Sequence, residues 1–315
     1  MLDSWVYALE GEAKAAATIR AYSDSVKKYI SWAAANDLPT DTEGVTATDI
    51  RGYLTAETER TSAATASTDF RHLRVFWNWV GREHERVAPS PMTNVRPPHV
   101  TRKPKEYLDD DEIRALLEVC KGLELEDRRD TAIIRIFIDN GVRVSGMAGI
   151  RYHRTDPAKS DVDLKAKRLR ITLKGGDVIP VPIGAKACAA IDRYIRTRNK
   201  VEDERAAAAA ARGVSYEESP YLWIGTRGRN VKTFTDSGIR QMLERRGEQA
   251  GVPHVHPHRF RATFADDYLE AGGTLDELMA IAGWKSMAMP LLYAGERAAE
   301  RARQAHERLS PGDRI

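Results

Sequence analysis

"HPHRFRATFADDYLEAG", residues 256–272, holds two overlapping copies of one pattern: His256 stands three residues before Arg259, and His258 three residues before Arg261. At that spacing a histidine and an arginine share one helical face, where imidazole and guanidinium together can grip an anion. Either pair could equally be solvated surface charge, the commoner fate of an arginine. The choice between them, and with it the fold, depends on what surrounds this stretch.

The 315 residues are enough for two domains, and 42% apolar against 30% charged residues describes an ordinary globular chain. The only cysteines, Cys120 and Cys188, are far apart, with no CxxC and no clustered histidines. That argues against a structural zinc site and a disulfide framework and fits a reducing cytoplasm. The amino terminus "MLDSWVYALEGEAK" lacks a basic region followed by an apolar core, and no stretch is long and apolar enough to span a bilayer. A net charge of +3 leaves any nucleic-acid role to local patches.

The first hundred residues read as helices. In "TIRAYSDSVKKYISWAAAND" the apolar positions Ile19, Tyr22, Val26, Tyr29 and Ala33 recur every three or four residues, with Thr18 the expected cap. "STDFRHLRVFWNWV" places Phe70, Leu73, Phe76, Trp77 and Val80 on one stripe. Then "APSPMTNVRPPHVTRKPKEYL" brings five prolines and four basic residues, an extended segment that predicts a domain boundary. The expected division is a helical domain over 1–95, a basic linker over 96–105 and a second domain over 106–315, with a tail helix over 296–309. The second domain opens at "DDDEIRALLEVC", with carboxylates in the first helical turn.

Around residue 170 the period falls to two. "RLRITLKGGDVIPVPI" alternates Leu169, Ile171 and Leu173, then Ile179, Val181 and Ile183 around Gly175-Gly176, a β-hairpin with Lys174 at its tip. "ERAAAAAARG" fits an alanine-rich helix or an inserted loop equally well. The fold class is therefore mainly α with a small β-hairpin or sheet (α+β). No P-loop, GxGxxG, HExxH or paired-aspartate motif occurs, so an enzyme with no metal and no nucleotide cofactor is expected.

In this order, Arg143 in "DNGVRVSGMAGIRY", Lys174 in "LKGGDVIPVP", the His/Arg pair, Trp284 in "AGWKS" and Tyr293 in "PLLYAGE" resemble the tyrosine recombinase, or phage integrase, family. The stretch from His256 looks like that family's HPHxLRHxFA box. Aligning HPH with HPH selects His258 and Arg261 as its His-x-x-Arg and leaves His256 and Arg259 as flanking residues. Trp284 then follows Arg261 by 23 residues and Tyr293 follows Trp284 by nine, the family's customary intervals. Two departures stand out: Gly146 replaces the acidic residue usually found three positions after the first arginine, and Ala262 stands where histidine is common.

The resemblance implies a helical core-binding domain followed by a catalytic domain, of the simple type without an arm-binding module. It implies a site-specific recombinase that forms a 3'-phosphotyrosyl intermediate. Tyr293 would be the nucleophile, Lys174 the general acid, Arg143 and Arg261 the phosphate forks, His258 a proton-handling donor, and Trp284 a positioning residue. Implied partners are double-stranded DNA and further copies of the chain, a dimer per site and a tetramer in synapsis, with room for accessory DNA-bending or directionality factors. Lys27, Lys28, Arg71 and Arg74, with Arg102, Lys103 and Lys105 of the linker, are the candidate DNA contacts. The alternatives are a type IB topoisomerase-like nicking and closing enzyme, and a DNA-binding protein whose recombinase site has decayed.

Overall fold

The computed structural model describes residues 1–83, 89–101, 106–173, 175–226, 233–294 and 298–314, with side chains 292–294, 298–301, 304 and 314 left aside. Lys174 and the linker cations Arg102, Lys103 and Lys105 thus lie outside the described residues. The chain forms two compact units, Met1–Lys103 and Pro104–Ile315.

Unit 1 contains α1 (Leu2–Gly11), α2 (Ala16–Ala35), α3 (Ala47–Arg60) and α4 (Ala63–Glu83). The expected stripes face inward: Val26, Tyr29 and Ala33 of α2 meet Phe70, Leu73, Phe76, Trp77 and Val80 of α4, all buried. Thr18 is not the cap of α2. The helix starts at Ala16 with Ala15 at its N-cap, because the run of alanines has the strongest helix propensity and extends the first turn backwards. Helix α1 adds Trp5, whose ring meets Phe76 edge-on at 5.0 Å. Inside this core Asp69 accepts hydrogen bonds from Ser25 (2.6 Å) and Tyr53 (2.8 Å), and Ser25 also pairs with His72 Nδ1 at 2.8 Å. The serine hydroxyl sits between histidine and carboxylate, so this is a buried polar brace, arranged differently from a nucleophilic triad in which histidine is central.

Unit 2 is built on α6 (Leu125–Asn140), whose Ile133, Ile134, Ile136 and Phe137 are fully buried. It packs on α8 (Ala185–Ala210) and α10 (Pro257–Glu270), where Phe137 stacks on Phe260 at 5.6 Å. The alanine run is helical, forming the last turns of α8. The hairpin is β2 (Arg168–Thr172) and β3 (Val178–Pro182), paired antiparallel with Leu169 opposite Val181 and Ile171 opposite Ile179. A two-residue strand, β1 (Val162–Asp163), extends it to order β1-β2-β3. Alternation buries Leu169 and Ile171 and exposes Arg168, Arg170 and Thr172. The remaining elements are α5 (Asp110–Glu118), α7 (Val144–Ala148), α9 (Asp236–Ala250), α11 (Leu275–Ala282), α12 (Ala288–Ala294) and α13 (Ala298–Leu309).

Candidate active site

Helix α6 ends on Gly141, which takes a left-handed conformation (φ 55°) and lies so near α10 that a Cβ there would come within 2.9 Å of the Phe264 ring. Only glycine meets both conditions. The chain then turns at Val142, which is buried, and sets Arg143 as the N-cap of α7. Arg143 is half-buried, and among the described residues its guanidinium has neither a hydrogen-bond nor an ion-pair partner.

The two histidine–arginine pairs of α10 part company here. His256 is the N-cap: its Nδ1 accepts the Arg259 backbone N–H at 3.2 Å, ahead of Pro257 in the first turn. Arg259 is buried and donates to the carbonyls of Tyr107 (2.9 Å) and Pro253 (2.9 Å) and to both oxygens of Glu112 at 2.7 Å. Its fork is occupied in tying α10 to the start of the unit, a tie that Thr263 reinforces by accepting the Leu108 N–H at 2.8 Å.

Arg261 is also buried, but its partners differ. One Nη donates to the carbonyl of Gly141 (2.7 Å), the other to that of Ala282 (2.8 Å), and the guanidinium lies 4.7 Å from the Trp284 ring centre. Arg261 thus joins the segment before Arg143 to the segment before Trp284. His258 is exposed one turn back on α10. Although the residue as a whole is exposed, partial burial of its ring and then the positive neighbours His256, Arg240, Arg261 and Arg143 lower its pKa below the ordinary histidine value. The ring is therefore neutral near pH 7 and lies within electrostatic reach of both arginines.

A cleft of about 1020 Å³ is lined by Arg143, Ser145, Arg151, Thr172, Trp284 and Lys285, among others. Leu173 and Gly283 also line it, and Gly283 (φ 63°) is approached to 2.9 Å by the Leu173 side chain, measured from where a Cβ would stand. The turn end of the hairpin, at Leu173, is thereby seated next to the Gly283–Trp284 turn. Lys285 pairs with Asp177 on the hairpin at 2.6 Å. Tyr293 lies in α12, packed against α10 and α11, and its side chain falls outside the described residues.

Gly146 is buried, and a Cβ there would meet the Ile171 methyl at 2.7 Å. The space that an acidic side chain would need is filled by strand β2. Of the candidate DNA contacts in unit 1, Lys27, Lys28, Arg71 and Arg74 are all exposed. Lys28 lies 3.5 Å from Asp69, Arg71 donates to Thr68, and Arg74 covers the Phe70 ring. Sequence reasoning missed Arg151 and Lys285. Both stand inside motif boxes it singled out, but nothing in a one-dimensional pattern says that they border the same cleft.

The profile of the phage integrase family matches residues 106–300, and that of the phage integrase N-terminal SAM-like domain matches residues 2–84. Tyrosine recombinase XerC of Xanthomonas campestris pv. campestris (strain B100) is 28% identical over 277 residues, covering 88% of this chain and 77% of that protein. XerC of Oceanobacillus iheyensis is 25% identical over 296 residues, covering 93% and 90%. Similar folds occur in XerH recombinase bound to palindromic difH substrate in a post-cleavage complex (TM-score 0.69, 16% identity, 94% of this chain and 80% of that one). The Tn1549 transposon integrase in complex with transposon right end DNA is similar as well (TM-score 0.69, 18% identity, 97% and 98%). With a profile match over residues 106–300, well over half its length, the chain belongs to the phage integrase family.

Proposed function

We propose that this protein is a site-specific DNA recombinase whose active site comprises Arg143, Lys174, His258, Arg261, Trp284 and Tyr293. The observation that carries this reading is the bridge made by Arg261, which holds the Arg143 turn and the Trp284 turn together beside the cleft that both Arg143 and Trp284 line.

The chemistry follows from the residue types. The Tyr293 oxygen attacks a backbone phosphorus, the bond from phosphorus to the 5'-oxygen breaks, and a 3'-phosphotyrosyl ester forms. Lys174 delivers a proton to the departing 5'-oxygen, which leaves as a hydroxyl. The 5'-hydroxyl of a second strand reverses the step, so the bond energy is retained and no nucleotide is consumed. Negative charge gathers on the non-bridging oxygens, and the planar forks of Arg143 and Arg261 meet it with paired donors. His258, neutral in the free protein, accepts the tyrosine proton or, once protonated, donates to the phosphate. Trp284 keeps the Arg261 plane in place through its ring.

Unit 1 and the basic linker would close on duplex DNA through Lys27, Lys28, Arg71, Arg74, Arg102, Lys103 and Lys105, and displacement of counterions would make binding strongly salt-dependent. Lys28 and Arg74 would have to leave Asp69 and Phe70 to do so. A dimer on each site and a tetramer at synapsis complete the assembly, and neighbours in the same family of folds have been seen as a dimer on a core site and a tetramer on a Holliday junction. The site of action is the cytoplasm, where the DNA is; no helix among the described residues is long and apolar enough to cross a membrane.

The test is covalent trapping on nicked duplex DNA containing the target site. Wild-type protein should give an adduct that survives denaturing electrophoresis, and Tyr293→Phe should bind the same DNA and give none. An adduct that persists in Tyr293→Phe would move the nucleophile to another residue. Relaxation of supercoiled DNA without two-site recombination would favour the topoisomerase alternative, for which no observation on this chain speaks.

A further inference from the structure

Arg151 follows Arg143 by eight residues and lines the same cleft. Its backbone is fixed on every side. The Arg151 N–H donates to the Asp161 carboxylate at 2.9 Å, the Ile150 carbonyl accepts from Leu222 N–H at 2.8 Å, and the Tyr152 N–H donates to the Pro220 carbonyl at 3.0 Å. Yet the side chain is exposed, and among the described residues its guanidinium has no hydrogen-bond or ion-pair partner. A rigid backbone that presents an uncommitted guanidinium to a cleft does nothing for stability that a smaller residue would not do.

Two described carboxylates of the surrounding elements already have cationic partners. The second oxygen of Asp161 pairs with Arg170 at 3.2 Å, and Asp177 pairs with Lys285. Two unpaired guanidiniums on one cleft repel each other, so an anion there is attracted by both. From Arg143 to Arg151 the chain runs through the one short helix α7 and then an extended stretch in which Arg151 pairs with Tyr221. Successive phosphates of one DNA strand advance by about 3.4 Å along the axis. Arg143 caps the start of α7 and Arg151 lies three residues beyond its end, so the two side chains leave the cleft wall at separate points and can take two different phosphates of one strand, within about three nucleotides of each other.

We propose that Arg151 binds a second, non-scissile phosphate of the strand whose scissile phosphate is held by Arg143, and so sets which phosphodiester enters the site. This rests on the reading of the cleft as the DNA-cleavage site. Arg151 is a binding and positioning residue in this scheme, distinct from the groups that touch the reacting atoms.

The experiment is a methylphosphonate scan, in which single phosphates around the cleavage position are made neutral in otherwise identical duplexes, using full-length protein. Wild type should lose about tenfold in affinity at one non-scissile position within about three nucleotides of the cut, as expected for one charge-assisted contact. Arg151→Ala should lose about tenfold on unmodified DNA, become indifferent to neutralisation at that one position, and remain sensitive at all others. Its salt dependence should fall by about one counterion. Arg151→Gln serves as a second variant, and since the described structural contacts of residue 151 are made by its backbone, both should keep the wild-type melting temperature. If Arg151→Ala keeps sensitivity at every position that wild type shows, the second-phosphate site is refuted. If wild type forms no adduct on any DNA, the functional reading has failed instead, and the scan distinguishes the two because it begins from a measured wild-type adduct.

Discussion

Exchanging the arginines of α10 one at a time tests whether Arg259 is a structural fork and Arg261, as proposed, a phosphate-binding one. Arg259→Ala removes a fork whose described partners are two backbone carbonyls and the Glu112 carboxylate, whose side chain is 23% exposed. Breaking a fully buried ion pair costs about 3–5 kcal/mol. Glu112 keeps part of its hydration and still accepts the Asp109 N–H at 3.0 Å in its capping box, so a loss of about 2–3 kcal/mol is expected. For a unit of this size that corresponds to a melting temperature lowered by roughly 4–12 °C. Cleavage of a nicked substrate, measured well below that melting point, should stay within about threefold of wild type. Arg261→Lys should behave in the opposite way. It keeps the charge and can still reach one of the two carbonyls, so melting should shift little, while loss of the paired donors should lower the cleavage rate on the order of a hundredfold, about 3 kcal/mol of barrier. The histidines give the same contrast: His256→Ala loses a helix cap, at about 0.5–2 kcal/mol of stability, and His258→Ala costs about tenfold or more in rate with melting unchanged. Single-turnover cleavage and thermal denaturation on the same preparations decide the matter. Normal melting with abolished cleavage in Arg259→Ala, alongside an active Arg261→Lys, would refute the assignment.

Three further outcomes are expected. A substrate in which sulfur replaces the 5'-bridging oxygen has a leaving group that needs no proton, so Lys174→Ala should cleave it far faster than normal DNA; equal slowness on both would exclude Lys174 as the general acid. Gly146→Glu, which installs the family's usual acidic residue, should destabilise the protein by about 1–3 kcal/mol through collision with Ile171, and Ile171→Ala in the same chain should recover part of that loss in chemical denaturation. His72 is held below the ordinary histidine pKa by burial, outweighing Asp69. The folded unit therefore binds fewer protons than the unfolded chain between the two values, so stability rises with pH through that window and declines as pH falls below about 6.5, the unfolded value. In an isolated 1–95 fragment or in the full chain, urea titration from pH 7.5 to 5 should show this decline in wild type and a smaller one in His72→Gln.

The stripes of α2 and α4 and the alternation of β2 and β3 could be read directly because each element buries one face and the period records which. Less legible were features governed by distant partners or by propensity alone. The alanine run of α8 carries no period and so gave no choice between helix and loop. Strand β1 is two residues long, too short for alternation to register. Within the site, the intervals from Arg261 to Trp284 and from Trp284 to Tyr293 were visible, whereas the separate occupation of Arg259 was not, since its carboxylate partner stands 147 residues away. Arg151 looked like any surface arginine until the backbone around it was seen to be fixed and its side chain left unengaged.

The contrast between Arg259 and Arg261 also shows two ways in which a buried guanidinium is held. Glu112 cancels the charge of Arg259, which is why that residue can serve stability and little else. The Gly141 and Ala282 carbonyls fix the Arg261 fork without cancelling its charge. Both carbonyls belong to helix C-termini, those of α6 and α11, where the helix dipole favours a cation. Each of those helices ends on a left-handed glycine, Gly141 or Gly283, against which another element packs too closely for a side chain. The same two turns lead directly to Arg143 and to Trp284. The sequence thus places its glycines where they bring two helix ends to one guanidinium, and the residues that follow each turn are delivered to the cleft together.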